Sequence, residues 1–221
     1  MRPRALPGAV ARRVRSLGRS ADLALARLPL LAAKERVYDR DFYLDAEHDA
    51  MYERLAAGIY ELLRPATAVD VGCGTGFLLA KLARRGVEVT GVEGSRHAIA
   101  VSHVPGRVVR WNLERALPPL GHFDVCLCIE VAEHLPRRSA AGLVAGLVGL
   151  SGVVVFTAAT PGQGGTLHVN EQPHEFWVDL FRAHGSERAG EMEAALKAAI
   201  TDVSEPSWMH SNLMVFAGAI R

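Results

Sequence analysis

Beyond residue 65 the chain alternates between two hydrophobic patterns. Short runs of β-branched and other apolar residues, bounded by glycine or polar residues, predict strands over 66–71, 87–93, 107–111, 123–129, 152–157 and 213–220. Between them, apolar residues at helical spacing predict helices over 76–85, 95–104, 139–150, 172–184 and 191–200. Gly86 stops the first of these, and Ser95 is placed to cap the second. Residues up to 64 are rich in Ala, Leu, Arg and Glu and read as helical, with breaks near Pro29 and across 39–45. Pro65 closes that region, because proline disfavours helical backbone in the residue before it. Two units are expected: a helical extension and cap, 1–64, and a core domain, 65–221. Strands alternating with helices imply an α/β fold with a doubly wound, mostly parallel sheet covered on both faces. In such sheets ligands lie beyond the carboxyl ends of the strands, near the point where strand order reverses.

The polar motifs follow predicted strands. After the first comes Val69-Asp70-Val71-Gly72-Cys73-Gly74-Thr75-Gly76, which opens a helix. Glycine permits a tight turn and lets a ligand touch the backbone. The helix start offers unpaired N–H groups suited to a carboxylate or phosphate. A dinucleotide fingerprint needs G-x-G-x-x-G, but its third glycine position is Phe77 here. A purely structural strand-to-helix turn would leave Glu93, which ends the second strand before Gly94, unexplained. A carboxylate at that place can accept both hydroxyls of a ribose. Asn112 and Leu113 follow the third strand, and they can meet an adenine amino group through a side-chain carbonyl and an adenine nitrogen through a backbone N–H. Asp70 stands inside the first strand, where an unpartnered carboxylate is costly to bury.

The fourth strand runs through Ile129 into Glu130-Val131-Ala132-Glu133-His134-Leu135-Pro136. The fifth is followed by a long polar loop, Thr157 to Pro173, which contains Pro161-Gly162-Gln163-Gly164-Gly165 and His168-Val169-Asn170-Glu171-Gln172. Long glycine-rich loops inside compact domains tend to carry function. His168, Asn170 and Glu171 are candidate substrate contacts, and a loop stapled by Asn170 and Glu171 is the structural alternative.

Over residues 66–160 these motifs resemble the class I S-adenosylmethionine-dependent methyltransferases, whose first motif has the form (V/L/I)-D-(V/I/L)-G-C-G-x-G. The segment from Glu130 to Pro136 is similar to that of small-molecule enzymes, including ubiquinone-biosynthesis O-methyltransferases. The loop from Pro161 to Pro173 resembles that of bacterial natural-product and sugar methyltransferases. The resemblance implies a Rossmann-like fold with seven strands, the last antiparallel, and an N-terminal helical cap. It implies S-adenosylmethionine as cofactor and S-adenosylhomocysteine as product. Asp70, Gly72, Gly74, Gly76, Glu93, Gly94, Asn112, Leu113, Ile129 and Glu130 would form the cofactor site. Asn112 departs from the aspartate common there. His134 would face a small-molecule acceptor as general base, with Glu133 beside it. A hydroxyl acceptor needs a base where an amine need only be neutral, so oxygen transfer is favoured over nitrogen.

Three alternatives remain open. Glu133 and His134 can simply tie down the loop after the fourth strand. Glu130, Glu133 and His134 also resemble the metal ligands of small-RNA 3′-end 2′-O-methyltransferases, with His168 as a further ligand. Mg²⁺ prefers oxygen donors, however, and no basic face with interleaved aromatics is visible, so neither a metal nor a nucleic-acid partner is assigned. A non-catalytic relative would have no reason to keep both the glycine turn and Glu93.

Composition changes this picture little. The chain has 221 residues, 49% of them hydrophobic and 22% charged, with a formal net charge of +1, so nothing global points to a polyanion. Arg2, Arg4, Arg12, Arg13, Arg15 and Arg19 precede the first acidic residue, Asp22, and form either a solvated tail or an arm for peripheral contact with anionic lipid. The apolar stretch 21–33 is broken by Asp22, Arg27 and Pro29, which makes a poor secretory leader. The three cysteines, Cys73, Cys126 and Cys128, lack a disulfide spacing, and a cytoplasmic location is expected. Cys126 and Cys128 share one face of their strand and read as core. Tyr38 and Tyr43 resemble the aromatic segment that closes over the cofactor in relatives. Trp208, His210 and Asn212 receive no role. The glycine spacing predicts that calorimetry will detect binding of S-adenosylhomocysteine and not of NAD; tight NAD binding would contradict it.

Overall fold

The computed structural model describes residues 49–201 and 207–218. Tyr38, Tyr43 and the N-terminal arginines lie outside the described residues. Helix α1, Asp49–Leu63, is followed by Arg64 at φ 45° and then by Pro65, which turns the chain into the sheet. The core follows as β1 Thr67–Val71, α2 Phe77–Ala83, β2 Glu88–Glu93, α3 Arg96–Ala100, β3 Val108–Arg110 and β4 Val125–Ile129. Two short 3-10 turns, Ala132–His134 and Arg137–Ser139, lead into α4 Ala140–Leu150 and β5 Val153–Thr157. After the long loop come α5 His174–Ala183, β6 Ser186–Arg188, α6 Gly190–Ile200, α7 Ser207–Asn212 and β7 Met214–Gly218.

The described strands form one sheet in the order β3-β2-β1-β4-β5-β7-β6. β3, β2, β1, β4 and β5 are parallel, and β7 runs antiparallel to both β5 and β6. The expected α/β architecture and its reversed final strand are therefore present. Strand order reverses between β1 and β4, which opens a crevice at their carboxyl ends.

Strand alternation sorts the core onto two faces. Val69, Val71, Cys126, Cys128, Val154 and Phe156 pack with Leu143 and Leu147 of α4 and Trp177 and Phe181 of α5. Ala68, Leu127, Val155 and Val215 face the other way, onto Leu55 and Ile59 of α1, Leu79 of α2 and Leu196 of α6. Both strand cysteines are core residues, as their spacing suggests. α1 belongs to the same core as the sheet.

The sequence pattern overestimates some elements and misses two. The helix expected over 95–104 ends at Ala100. Ser95 does cap it, accepting from the N–H groups of His97 and Ala98 at 3.2 and 3.3 Å. Ser102 then accepts from Val104 N–H at 3.1 Å, and His103 N–H bonds Thr75 O at 2.8 Å, so the chain leaves the helix to brace the glycine turn. β6 is three residues of Ser-Glu-Arg at the sheet edge, with no apolar pattern to announce it. α7 is six residues long, too short for a period to register. Among the described residues no helix is long and apolar enough to cross a membrane.

Phe156 sits at the centre of the α4–α5 face. Its ring lies 5.1 Å from Trp177, 5.4 Å from Phe181 and 6.3 Å from Phe216, while Phe181 and Phe216 stack at 3.7 Å. Phe156→Ala is expected to cost about 3–5 kcal/mol. The check is urea unfolding, in which the midpoint should fall at unchanged slope.

Candidate active site

The glycine turn projects from β1 into the crevice. Gly72, Gly74 and Gly76 take φ of 84°, 54° and 72°. Gly72 has no room for a side chain as well, because a Cβ there would fall on Val131. Glu93, at the end of β2, holds the turn from outside. Its Oε2 accepts from Gly74 N–H at 2.9 Å and its Oε1 from Ser95 N–H at 2.7 Å. One carboxylate thus fixes both the turn and the start of α3, and each oxygen keeps a second lone pair for a hydroxyl donor. Beside it, Gly94 approaches Trp111 O. Asn112 is exposed at the end of β3, with its Oδ1 accepting from Glu114 N–H at 3.0 Å, and Leu113 is buried behind it.

Asp70 is 4% exposed on β1, directly under this turn. Burial, and secondarily the Glu93 carboxylate, pushes its carboxyl up to about 7. Tyr52 of α1 feels the same charge: burial raises its phenol, and Asp70 and Glu130 raise it further. The sequence directed attention to Tyr38 and Tyr43, whereas the described tyrosine within electrostatic reach of the site is Tyr52, which stands in an ordinary amphipathic helix.

The second half of the site leaves β4. Glu130 takes φ 53°, a left-handed backbone for a non-glycine residue, of the kind that concentrates at functional sites. It is held there by Thr157 Oγ1, which accepts from its N–H at 2.8 Å, and by Asn212, whose Nδ2 donates to its Oε1 at 3.3 Å. The same Asn212 amide donates to Gln163 Oε1 at 2.9 Å, which ties the long loop to Glu130. Asn212 and Gln163 were missed because their meeting spans 49 residues of sequence.

Glu133 is fully buried, and neither of its carboxylate oxygens has a well-aligned hydrogen bond among the described residues. Glu130 and the Ala159 amide approach it less directly. Burial, then the charge of Glu130, pushes its carboxyl up to about 9, and burial also raises Glu130.

The loop after β5 docks on the turn that carries Glu133. Val169 and Asn170 N–H both donate to Glu133 O, at 2.9 and 3.0 Å. Asn170 is buried, with its Nδ2 donating to Ala132 O at 3.2 Å and its Oδ1 accepting from Gln172. Glu171 accepts from Gly162 and Gly164 N–H, each at 2.8 Å, and meets His168 Nδ1 at 3.0 Å. Hydrogen bonding by His168 holds the Glu171 carboxyl below its usual range, helped by the Gly162 amide. His168 lies over Gly165, at φ 157°, where a Cβ would strike the imidazole. Its ring stands edge-on to His134 at 4.8 Å. Glu133, His134 and His168 each bring a ligating atom within 4.8 Å of the others. Residues from two loops 34 positions apart, named separately in the sequence, thus meet at one place.

Residues 69–145 match the Methyltransferase domain family. The chain carries a class I methyltransferase domain. A curated relative, the ubiquinone biosynthesis O-methyltransferase of Alkalilimnicola ehrlichii, is 36% identical over 98 residues, covering 40% of this chain and 40% of that protein. The chain thus matches about two fifths of that relative's length. The magnesium protoporphyrin IX methyltransferase of Synechocystis PCC 6803, solved with S-adenosylhomocysteine, has a TM-score of 0.58 at 16% identity, over 95% of this chain and 100% of that one. The sugar N-methyltransferase KedS8 of Streptoalloteichus sp ATCC 53650 gives 0.58 at 18%, over 78% and 88%. At these identities the structural likeness is one of fold. The cofactor of the domain is S-adenosylmethionine, and the crevice suits it: the glycine cradle leaves no room for a Cβ at Gly72, and Asp70 is a buried carboxyl that a cationic ligand would satisfy.

The raised carboxyl of Asp70 has a signed consequence. Between pH 4 and 7 the folded state holds a proton that the unfolded state releases, so stability contributed by this group falls as pH rises through that window. Asp70→Asn is therefore expected to be more stable than the parent at pH 8. The difference should shrink as pH falls through about 7 toward 4, measured by urea unfolding across pH.

Proposed function

We propose that this chain transfers a methyl group from S-adenosylmethionine to an oxygen of a small-molecule acceptor, and that His134 takes the acceptor's proton. The observation that carries this is the meeting of Glu133, His134 and His168 at the carboxyl ends of β4 and β5, next to Glu130 at the rim of the nucleoside crevice.

Each candidate residue has a task. The glycine turn and Asp70 receive the amino acid end of the cofactor, Asp70 through its ammonium. Glu93 and Gly94 receive the ribose. Asn112 and Leu113 border the adenine, and Ile129 and Glu130 the methionine portion. Bound cofactor supplies a methyl on a sulfonium: an acceptor oxygen forms the new C–O bond while the C–S pair returns to sulfur, leaving S-adenosylhomocysteine. The protein's share is to hold the acceptor oxygen in line, worth about 7–11 kcal/mol in well-oriented systems. His134 then accepts the hydroxyl proton, a contribution of about 10²–10⁴-fold. His168, held by Glu171 and packed against His134, limits how that imidazole can turn. The loop from Ala158 to Gln172, stapled by Asn170 and Glu171, forms the acceptor wall.

Transfer to oxygen is supported by the ubiquinone O-methyltransferase relative and by the histidine, since a neutral amine needs no base. A panel of phenols, sugar hydroxyls, carboxylates and amines, followed by release of S-adenosylhomocysteine, should give turnover on an oxygen acceptor; turnover on amines alone would overturn this. His134→Ala should bind S-adenosylhomocysteine like the parent and lose about 10²–10⁴-fold in turnover. Unchanged turnover would remove His134 from the chemistry.

A further inference from the structure

We propose that Glu133, His134 and His168 bind a divalent transition-metal ion, with Glu171 fixing the His168 ring from behind. Three observations meet here. One ligating atom from each of the three side chains lies within 4.8 Å of the other two. Glu133 is wholly buried in this cluster, with both carboxylate oxygens lacking an aligned partner among the described residues. A buried carboxylate without partners is costly, and a cation removes that cost. Finally, His168 Nδ1 is engaged by Glu171 at 3.0 Å, which leaves Nε2 as the coordinating nitrogen. A ligand imidazole backed by a carboxylate is the usual way that proteins orient a metal-binding histidine.

The loop is shaped around that ring. Leu167 adopts φ 58°, Gly165 leaves the space the imidazole occupies, and Glu171 holds Gly162 and Gly164 in place. Glu130 stands apart from the set, committed to Thr157 and Asn212, so the geometry selects different ligands from the Glu130-containing group read in the sequence. The donors are two nitrogens and one oxygen. That suits Zn²⁺, Co²⁺, Fe²⁺ or Mn²⁺ rather than Mg²⁺ or Ca²⁺. A tetrahedral ion about 2 Å from each atom needs them about 3.3 Å apart, so the side chains close by at most ~1.5 Å. Three protein ligands leave a fourth position open toward the acceptor. An ion there would lower the cost of ionising a hydroxyl beside it, with His134 serving as ligand in place of base. That use of the ion rests on the methyltransferase reading; the binding itself does not.

The test uses the full chain, stripped with EDTA and dialysed. Co²⁺ is titrated and followed by its visible absorption, and Zn²⁺ by calorimetry. One ion per chain is expected, with Mg²⁺ far weaker. His168→Ala and Glu133→Gln should each weaken Zn²⁺ at least 100-fold, and Glu171→Gln about 10–100-fold. S-adenosylhomocysteine binding and far-ultraviolet circular dichroism confirm that each variant folds. The proposal falls if the parent takes up neither Co²⁺ nor Zn²⁺ at one per chain, or if His168→Ala binds them equally well. Should Glu133→Gln fail to fold, His168→Ala decides alone. Ion uptake without S-adenosylhomocysteine binding keeps the metal site and removes the methyltransferase reading; the reverse result does the opposite.

Discussion

The pairing of β1 with β2 on one side and β4 on the other is the constraint on which the site depends. Asp70 stands opposite Gly91 and Leu127 in that register. The glycine turn, Glu93 and Glu130 therefore leave the sheet at a common edge. A slip of one residue would send Val69 and Val71 to the face that now holds Ala68, and would carry Asp70 away from the crevice. Both faces of β1 are buried, so such a slip exchanges packed apolar side chains for mismatched ones. The core and the site are set by the same register.

Around that edge, backbone donors are spent on a few carboxylates. Glu93 joins the turn after β1 to the start of α3. Glu171 gathers Gly162, Gly164 and His168, and the Glu133 carbonyl takes both Val169 and Asn170 N–H. Asn212 links Glu130 to Gln163. These bonds join β2, β4, the loop after β5 and α7 into one block around the crevice. Within it, Asp70 and Glu133 are acidic groups in poorly hydrated places, and their raised carboxyls record that cost. Groups of this kind concentrate where a ligand supplies the missing charge or hydrogen bond.

Local signals carried much of this. The G-x-G-x-G turn, Glu93 at a strand end and the Glu-x-x-Glu-His run are read within a few residues, because a turn's dihedrals and a strand's apolar run are local properties. The central strands were visible for the same reason: burial on both faces leaves an unbroken apolar run, as in Val125–Ile129. β6 and α7 were not visible, since a three-residue edge strand and a six-residue helix owe their conformation to neighbours. The role of Asn212 was likewise hidden; its partners, Glu130 and Gln163, are 82 and 49 residues away.

The amino-acid sequence alone therefore determined the α/β class, the place of the cofactor turn and the list of polar residues after each strand. Hydrophobic period and glycine spacing are written in adjacent residues. Only the tertiary structure decided which of those residues meet. It brought His168 to His134 and Glu133, set Glu171 behind His168 and committed Asn170 to the loop. It also drew in Tyr52 and Asn212 from either end of the described chain. Such meetings depend on strand order and on where each loop leaves the sheet, which the packing of the two buried faces sets.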